Sequence, residues 1–175
     1  MEVIAACIDN PIAKTSIKFL NLSRNGITKE GAKILADVLK NNNTIQTLDL
    51  SGNKLGVSGT KAIAISLQTN TSLQHLNLYS NKVDVDGARA LKDTLVANDT
   101  LSYLDVGSNR LRENGIIAIA EGIVGNKTCA LRSIGLRFNF VTDDAAQKFL
   151  TTVIGHSKIE TIYLRNNFLT DPFIT

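Results

Sequence analysis

The chain has 175 residues, of which 43% are hydrophobic and 20% are charged, and this balance predicts one globular domain with a sizeable core. Aromatic residues make up only 5% and tryptophan is absent, so the core must be built from aliphatic side chains. The net charge of +3 comes from 19 basic and 16 acidic residues mixed along the chain, whereas nucleic-acid binders concentrate basic residues on one face. No segment reaches the roughly 18 consecutive apolar residues that span a membrane. We therefore expect contact with neither nucleic acid nor a membrane.

Residues 1–16 are predicted to form a short helix. Ile4, Ala5 and Ile8 have helical spacing, and Pro11 ends the pattern. The segment is acidic and only briefly apolar, unlike a secretory signal peptide. The two cysteines, Cys7 and Cys129, are far apart in the sequence and would be buried free thiols in a reducing compartment. We therefore expect a cytoplasmic protein.

From Ile17 onwards the sequence repeats. A pattern of the form Ile-x-x-Leu-x-Leu-x-x-Asn-x-Ile begins near residues 17, 45, 73, 101, 131 and 159. The copies are 28 residues apart, except that the fourth is 30 residues long. The asparagine recurs in every copy, at Asn25, Asn53, Asn81, Asn109, Asn139 and Asn167. Such regularity indicates one structural unit used repeatedly.

Each copy reads as a strand, a bend and a helix. Leu20 and Leu22 alternate with residues that face the other way, which predicts a short strand. The asparagine should bond backbone groups where the chain leaves the strand, so that stacked copies form an asparagine ladder. An amphipathic helix follows, containing Leu35 and Leu39 in the first copy. The position ahead of the helix favours an N-cap oxygen and is occupied by Thr28, Asp84, Thr142 and Thr170.

One strand and one helix cannot bury their apolar faces alone, so the copies must stack. Stacking predicts an α/β solenoid with a parallel sheet on the concave side and helices on the convex side, because helices need more width than strands. We expect residues 1–175 to form this single domain. Residues 1–16 would be a degenerate N-terminal helical half-repeat, and the copy that begins near 159 would be incomplete.

The repeated pattern resembles the leucine-rich-repeat signature, and its 28-residue period with a full helix resembles the ribonuclease-inhibitor-like class of that family. The segment 31–41, Gly-Ala-Lys-Ile-Leu-Ala-Asp-Val-Leu-Lys-Asn, is similar to repeats of nucleotide-binding leucine-rich-repeat receptors. Ribonuclease inhibitor and the Ran GTPase-activating protein belong to the same class. The resemblance implies a right-handed horseshoe that binds a partner protein against its sheet, without a cofactor. We therefore expect a protein–protein interaction module whose partner is unidentified.

Alternation along the strands places every second side chain on the concave face. His75 and Tyr103 should lie side by side, with Tyr79 nearby, while Arg137 and Tyr163 should belong to a second, basic cluster. Aromatic residues and arginines are frequent anchors of interfaces. The alternative is that these are ordinary solvated strand positions. The residues predicted to contact a partner are His75, Asn77, Tyr79, Tyr103, Asp105, Asp49, Arg137, Tyr163 and Arg165.

The sequence predicts no catalytic residues and no metal site, and we expect a protein that is not an enzyme. Asp49, His75 and Asp105 lie on successive strands, but no nucleophile accompanies them. The two histidines and the scattered carboxylates lack metal-ligand spacing. The resemblance leaves two alternatives open, a ribonuclease-inhibitor-like protein and a GTPase activator resembling the Ran GTPase activator. In the latter, Asn109 or Arg110 could orient the attacking water.

The C-terminal end is predicted to be uncapped. After the sixth strand the sequence supplies no helix to cover Ile162, Leu164 and Phe168. Solenoids normally carry polar caps at their ends. We therefore expect this end to contact a further part of a longer protein, or to take part in self-association.

Overall fold

The computed structural model describes residues 17–155 and 158–170, so the helix expected in residues 1–16 lies outside the described residues. Strands and helices alternate through the described part of the chain. The strands are β1 (Phe19–Asn21), β2 (Thr47–Asp49), β3 (His75–Asn77), β4 (Tyr103–Asp105), β5 (Ser133–Gly135) and β6 (Thr161–Tyr163). The helices are α1 (Lys29–Asn41), α2 (Gly56–Leu67), α3 (Val85–Ala97), α4 (Arg112–Gly125) and α5 (Asp143–Val153).

The strands form one parallel sheet in the order β1-β2-β3-β4-β5-β6. Each residue pairs with the equivalent residue of the next copy, as in the series Phe19, Thr47, His75 and Tyr103. Each helix also contacts the next helix along the chain. This stacking of consecutive units confirms the predicted α/β solenoid.

The core lies between the sheet and the helices and is aliphatic, as the composition predicted. The central leucines of the inner strands, Leu48, Leu76 and Leu104, are fully buried, as are helix residues such as Ile63. Gly87, at the entrance to α3, has no room for a side chain, because a Cβ there would lie 2.7 Å from Cγ1 of Val83 and 3.4 Å from Cγ2 of Thr60 in α2. Glycine at this position therefore leaves room for the buried side chain of Val83, which belongs to the same copy.

The asparagine ladder predicted at the strand ends is present. The Asn109 amide group donates to the carbonyl oxygens of Leu78, Val106 and Gly107. Its Oδ1 accepts the backbone N–H groups of Asn81 and Val83, which belong to the preceding copy, at 3.0 and 2.9 Å. The side chain of one copy therefore satisfies buried backbone groups of the copy before it.

A second ladder, which the repeat pattern did not lead us to expect, runs along the corners that follow the helices. Asn70 closes its own corner by accepting the backbone N–H groups of residues 72 and 73, and its amide donates to the carbonyl oxygens of Leu39 and Asn42 in the preceding copy. Asn98 and Asn126 repeat these backward contacts. The recurrence of asparagine at 42, 70, 98 and 126 was the signal for this ladder.

The extra two residues of the fourth copy lie in such a corner. The strand-end asparagine and the corner asparagine are 17 positions apart in each of the first four copies, including Asn109 and Asn126 of the fourth. In the first three, the next copy begins three positions after the corner asparagine, but in the fourth it begins five positions after Asn126, at Leu131. The longer corner buries Cys129, and this burial raises the pKa of its thiol. It also brings the Thr128 hydroxyl to 2.7 Å from Asp99 Oδ1.

The predicted helix caps form in part. Asp84 accepts the backbone N–H groups of residues 86 and 87, and Thr142 accepts that of residue 145. Thr28 occupies the N-cap position of α1, but its hydroxyl donates to Glu30 instead of capping the helix. Thr170 contacts Asp143 at the start of α5, and a helix after Thr170 would fall outside the described residues.

Candidate protein-binding face

The sheet has an open face, which we define as the side turned away from the helices. Three rows of side chains cross it, because equivalent positions stack from strand to strand. The first row contains Phe19, Thr47, His75, Tyr103, Ser133 and Thr161. The second row contains Asn21, Asp49, Asn77, Asp105, Gly135 and Tyr163. The third row lies just beyond the strands and contains Ser23, Ser51, Tyr79, Gly107, Arg137 and Arg165.

The acidic and amide residues of the second row have a structural role. Asn77 Oδ1 accepts the backbone N–H of Tyr79 at 2.9 Å, and Asp49 Oδ1 accepts that of Ser51 at 2.8 Å. Each side chain therefore fixes the turn at the end of its own strand. The sequence pattern had indicated Asp49 and Asn77 only as partner contacts. The recurrence of Asn or Asp at 21, 49, 77 and 105 was the signal for the turn.

The first row contains the central aromatic pair that the sequence predicted. The rings of His75 and Tyr103 have centroids 5.9 Å apart and are tilted by 40°, which confirms that they lie side by side. Together with Phe19, Thr47 and Asp49 they line a groove of about 310 Å³. Phe19 is 63% exposed and was not among the predicted contacts. It extends the apolar part of the groove towards the N-terminal copies.

Asp105 lies on the open face, but its side chain is buried. Only 3% of the residue is exposed, because Arg137 and Tyr103 cover its carboxylate. Oδ1 accepts the backbone N–H of Gly107 at 2.8 Å, and Oδ2 lies 3.1 Å from an Arg137 guanidinium nitrogen. A Cβ at Gly135 would clash with this carboxylate, so glycine lets Asp105 lean over β5. Asp105 therefore positions Arg137 and is closed to direct contact with a partner.

Arg137 joins the two clusters that the sequence pattern had separated. While one end of its guanidinium contacts Asp105, its central carbon lies 5.1 Å from the centroid of the Tyr163 ring. The Tyr103 hydroxyl donates to the same oxygen, Oδ2 of Asp105, at 3.4 Å. We call Tyr103, Asp105, Arg137 and Tyr163 the open-face cluster. Its members hold one another in place, which fixes the orientation of the two aromatic rings.

The pKa of Tyr103 is raised above its ordinary value of 10.0. Burial of the phenol is the largest cause, and the negative charge of Asp105 is the next. The positive charge of Arg137 opposes the shift without cancelling it. The hydroxyl therefore remains protonated, as a hydrogen-bond donor, throughout the physiological pH range.

The remaining predicted contacts lie at the margins of the cluster. The Tyr79 ring covers Gly107, where a Cβ would come within 2.8 Å of its Cδ2 atom. Arg165 is exposed at the end of the third row, beyond Arg137. The structure thus places all nine predicted residues on one face, with Asp105 beneath the others.

Most of the candidate catalytic residues, Arg110 excepted, have structural roles. Every polar atom of the Asn109 side chain is engaged by the ladder, which leaves it unable to orient a water molecule. Asp105 is buried and paired, so it does not form a triad with Asp49 and His75. Among the residues that the structure describes, no group of His, Cys, Asp or Glu could hold a metal ion. None of the described helices has the length and apolarity to cross a membrane.

Comparisons with known proteins agree with this architecture. A family model described as Leucine Rich repeat matches residues 13–36, 41–64, 69–92 and 97–120, which is more than half of the chain. No curated protein sequence gives a significant match. The similarity to nucleotide-binding receptors that the segment 31–41 suggested is supported by none of these findings.

Solved structures share the fold at low sequence identity. One, described as "Leiomodin-1 Actin-Binding Site 2 (ABS2)", superimposes with a TM-score of 0.67 at 21% identity and covers 86% of this chain and 84% of its own. The C-terminal domain of tropomodulin from Caenorhabditis elegans gives a TM-score of 0.68 at 19% identity and covers 86% of this chain and 89% of its own. Both are similar in backbone path to the stack of strands and helices described above.

Proposed function

We propose that this chain, which belongs to the leucine-rich-repeat family, is a protein-binding module that holds its partner against the open face of the sheet. The observation that carries the proposal is the open-face cluster. Its rings and guanidinium are fixed by contacts among themselves before any partner arrives. Side chains that are already ordered lose little conformational entropy on binding, so more of their contact energy appears as affinity.

The face offers two kinds of contact. At the N-terminal side, Phe19, His75 and Tyr103 surround a groove that fits an apolar or aromatic side chain of a partner. At the C-terminal side, Arg165 supplies a positive charge that no carboxylate of the described residues pairs, while Arg137, already paired with Asp105, lies over the Tyr163 ring. Buried aromatic residues and arginines supply most of the binding energy in many interfaces. We infer that the partner presents an apolar side chain to the groove and a carboxylate to Arg165.

Actin is the first partner to test. The leiomodin structure that shares this fold is described as an actin-binding site, and the likeness extends over most of both chains. At 21% identity that likeness establishes the fold alone, so binding to actin needs its own measurement. Co-sedimentation with actin filaments and binding to monomeric actin would supply it.

The experiment that tests the proposed face uses a site-specific photo-cross-linker. One version of the protein carries benzoylphenylalanine in place of His75, and the matched control carries it in place of Lys61, which is exposed on α2 on the opposite side of the solenoid. We expect actin, or a specific protein from a cell lysate, to cross-link through position 75 and not through position 61. Equal cross-linking from both positions would refute the open-face proposal.

A double variant measures the contribution of the face. His75→Ala with Tyr163→Ala removes two exposed rings while the Asp105–Arg137 pair remains. We expect it to weaken binding of the cross-linked partner by at least ~2 kcal/mol, about thirtyfold in Kd. Lys33→Ala with Gln147→Ala, both exposed on helices, is the control that should bind as the parent protein does.

A further inference from the structure

A groove separate from the open face lies on the loops that follow strands β4, β5 and β6. It encloses about 560 Å³, and we call it the loop-edge groove. Phe140 and Phe168 form its apolar part, with ring centroids 5.7 Å apart and an angle of 49° between the rings. The residues that line it are Arg110, Arg112, Glu113, Phe140, Thr142 and Phe168.

The aromatic residues of this groove lie where the repeat does not call for aromatic side chains. The positions equivalent to Phe140 in the first four copies are Gly26, Lys54, Lys82 and Arg110. Phe140 and Phe168 are 49% and 63% exposed, so neither ring is part of the core. Phe138, which is 45% exposed, likewise replaces a polar residue or glycine of the earlier copies. An exposed apolar cluster of this kind is typical of a binding site.

The backbone at these positions makes phenylalanine a strained choice. Phe138 has a φ of 55° and Phe140 a φ of 61°, which is the left-handed region that glycine adopts freely and residues with a Cβ do not. Gly52 and Gly26 occupy the equivalent positions in earlier copies with φ of 69° and 65°. Arg24, Ser80 and Ser108 also have a positive φ at the position of Phe138, as does Lys82 at that of Phe140, so the conformation belongs to the repeat. What is particular to this copy is the choice of two large, partly exposed rings at these turn positions.

The charge around the groove indicates what it would bind. Arg110 and Arg112 form no ion pair with any other residue in the described ranges. Glu113, the one carboxylate of the lining, is held by Lys148 at 2.6 Å. The groove therefore combines an apolar floor with two available positive charges. A single-stranded nucleic acid fits less well, since only two cationic side chains line the groove, whereas such ligands need a positively charged groove that follows their backbone.

We propose that the loop-edge groove is a second binding site, specific for an acidic peptide segment of a partner protein. An aromatic or aliphatic side chain of the peptide packs between the rings of Phe140 and Phe168. Carboxylates on either side of that side chain pair with Arg110 and Arg112. The site is separate from the open face, so the chain can hold two segments at once.

Fluorescence anisotropy tests this proposal with a defined peptide. The probe is fluorescein-labelled Glu-Asp-Glu-Phe-Asp-Leu-Glu-Phe-Asp-Glu, and the controls replace its apolar residues by serine or its acidic residues by lysine. Phe140→Gly is the informative variant, because glycine suits the backbone there and keeps the protein folded. We expect it to weaken peptide binding at least tenfold. Lys82→Gly, the same change at the equivalent position two copies earlier, should leave binding unchanged.

The outcomes distinguish the proposal from its rivals. Binding of the acidic-apolar peptide that is lost in Phe140→Gly and retained in His75→Ala with Tyr163→Ala supports a separate acidic-peptide site. Equal binding of the serine-substituted peptide, or tighter binding of a labelled oligothymidine, would overturn it. A concentration-dependent dimer in sedimentation equilibrium that Phe140→Gly abolishes would also overturn it, because the groove would then be filled by a second copy of this chain.

Discussion

Removal of the Asn109 side chain should destabilise the protein far more than the same change at the end of the ladder. In Asn109→Ala, the backbone N–H groups of Asn81 and Val83 lose their acceptor, and three carbonyl oxygens lose a donor. A buried polar group left without a partner costs about 1–3 kcal/mol. Because the two N–H groups have no alternative acceptor in the ladder, we expect the free energy of unfolding to fall by about 4 kcal/mol.

Two matched changes calibrate that estimate. Asn81 donates to backbone carbonyls as Asn109 does, but its Oδ1 has no hydrogen-bond partner among the described residues. In Asn81→Ala, backbone carbonyl oxygens lose a donor but no N–H group loses an acceptor, so we expect the free energy of unfolding to fall by about 1–2 kcal/mol. Asn25 is exposed in the first described copy, and its side chain donates to the Ser23 carbonyl at 3.1 Å as its one hydrogen bond to the described residues. Asn25→Ala should cost under about 0.5 kcal/mol, as most surface changes do.

Urea unfolding followed by circular dichroism measures the series in the whole chain. From the least to the most destabilising, the expected order is Asn25→Ala, Asn81→Ala and Asn109→Ala. If the three variants unfold within about 0.5 kcal/mol of one another, the hydrogen bonds of the ladder do not set the stability of the stack, and the reasoning is wrong.

Three further results are expected. The raised pKa of Tyr103 means that folding favours its protonated form. This stabilisation is complete below pH 10 and is lost as the pH rises through the folded-state pKa. The urea midpoint of the parent protein should therefore fall above pH 10 more steeply than that of Tyr103→Phe. Phe140→Gly should raise the free energy of unfolding by about 1 kcal/mol by relieving the positive φ, and an unchanged urea midpoint would show that ring packing offsets the strain. In a Cys7→Ser variant, Cys129 should not react with dithionitrobenzoate at pH 8 until urea unfolds the chain, since its thiol is buried and its pKa is raised. Rapid reaction of the folded protein would contradict the burial of Cys129.

The repeat made the fold and the direction of each strand side chain predictable. A 28-residue period determines which residues are neighbours, and it placed His75 beside Tyr103 from the sequence alone. The asparagines at the strand ends were assigned correctly, because a bend there must satisfy buried backbone groups.

The details of the open face were harder to predict, because periodicity gives the direction of a side chain and not its tilt across neighbouring strands. Asp105 is buried because the absent side chain of Gly135 gives its carboxylate room to lean over β5. Arg137 pairs with this carboxylate and also packs over the ring of Tyr163, so the central and the C-terminal clusters predicted from the sequence form one cluster. The rings of Phe138 and Phe140 were overlooked for a similar reason, since a pattern search aligns the leucines and ignores the variable turn positions.

The two asparagine ladders make the two ends of the solenoid different from each other. In both, through the described copies, the amide of one copy reaches back to the main chain of the copy before it. Removal of a late copy leaves backbone groups of the copy before it without their side-chain partners, and these groups are held in place by the bend of the chain. Removal of an early copy frees side-chain amides, which can turn to bond water. We therefore expect fraying and truncation to be tolerated more readily at the front of the array than at its rear.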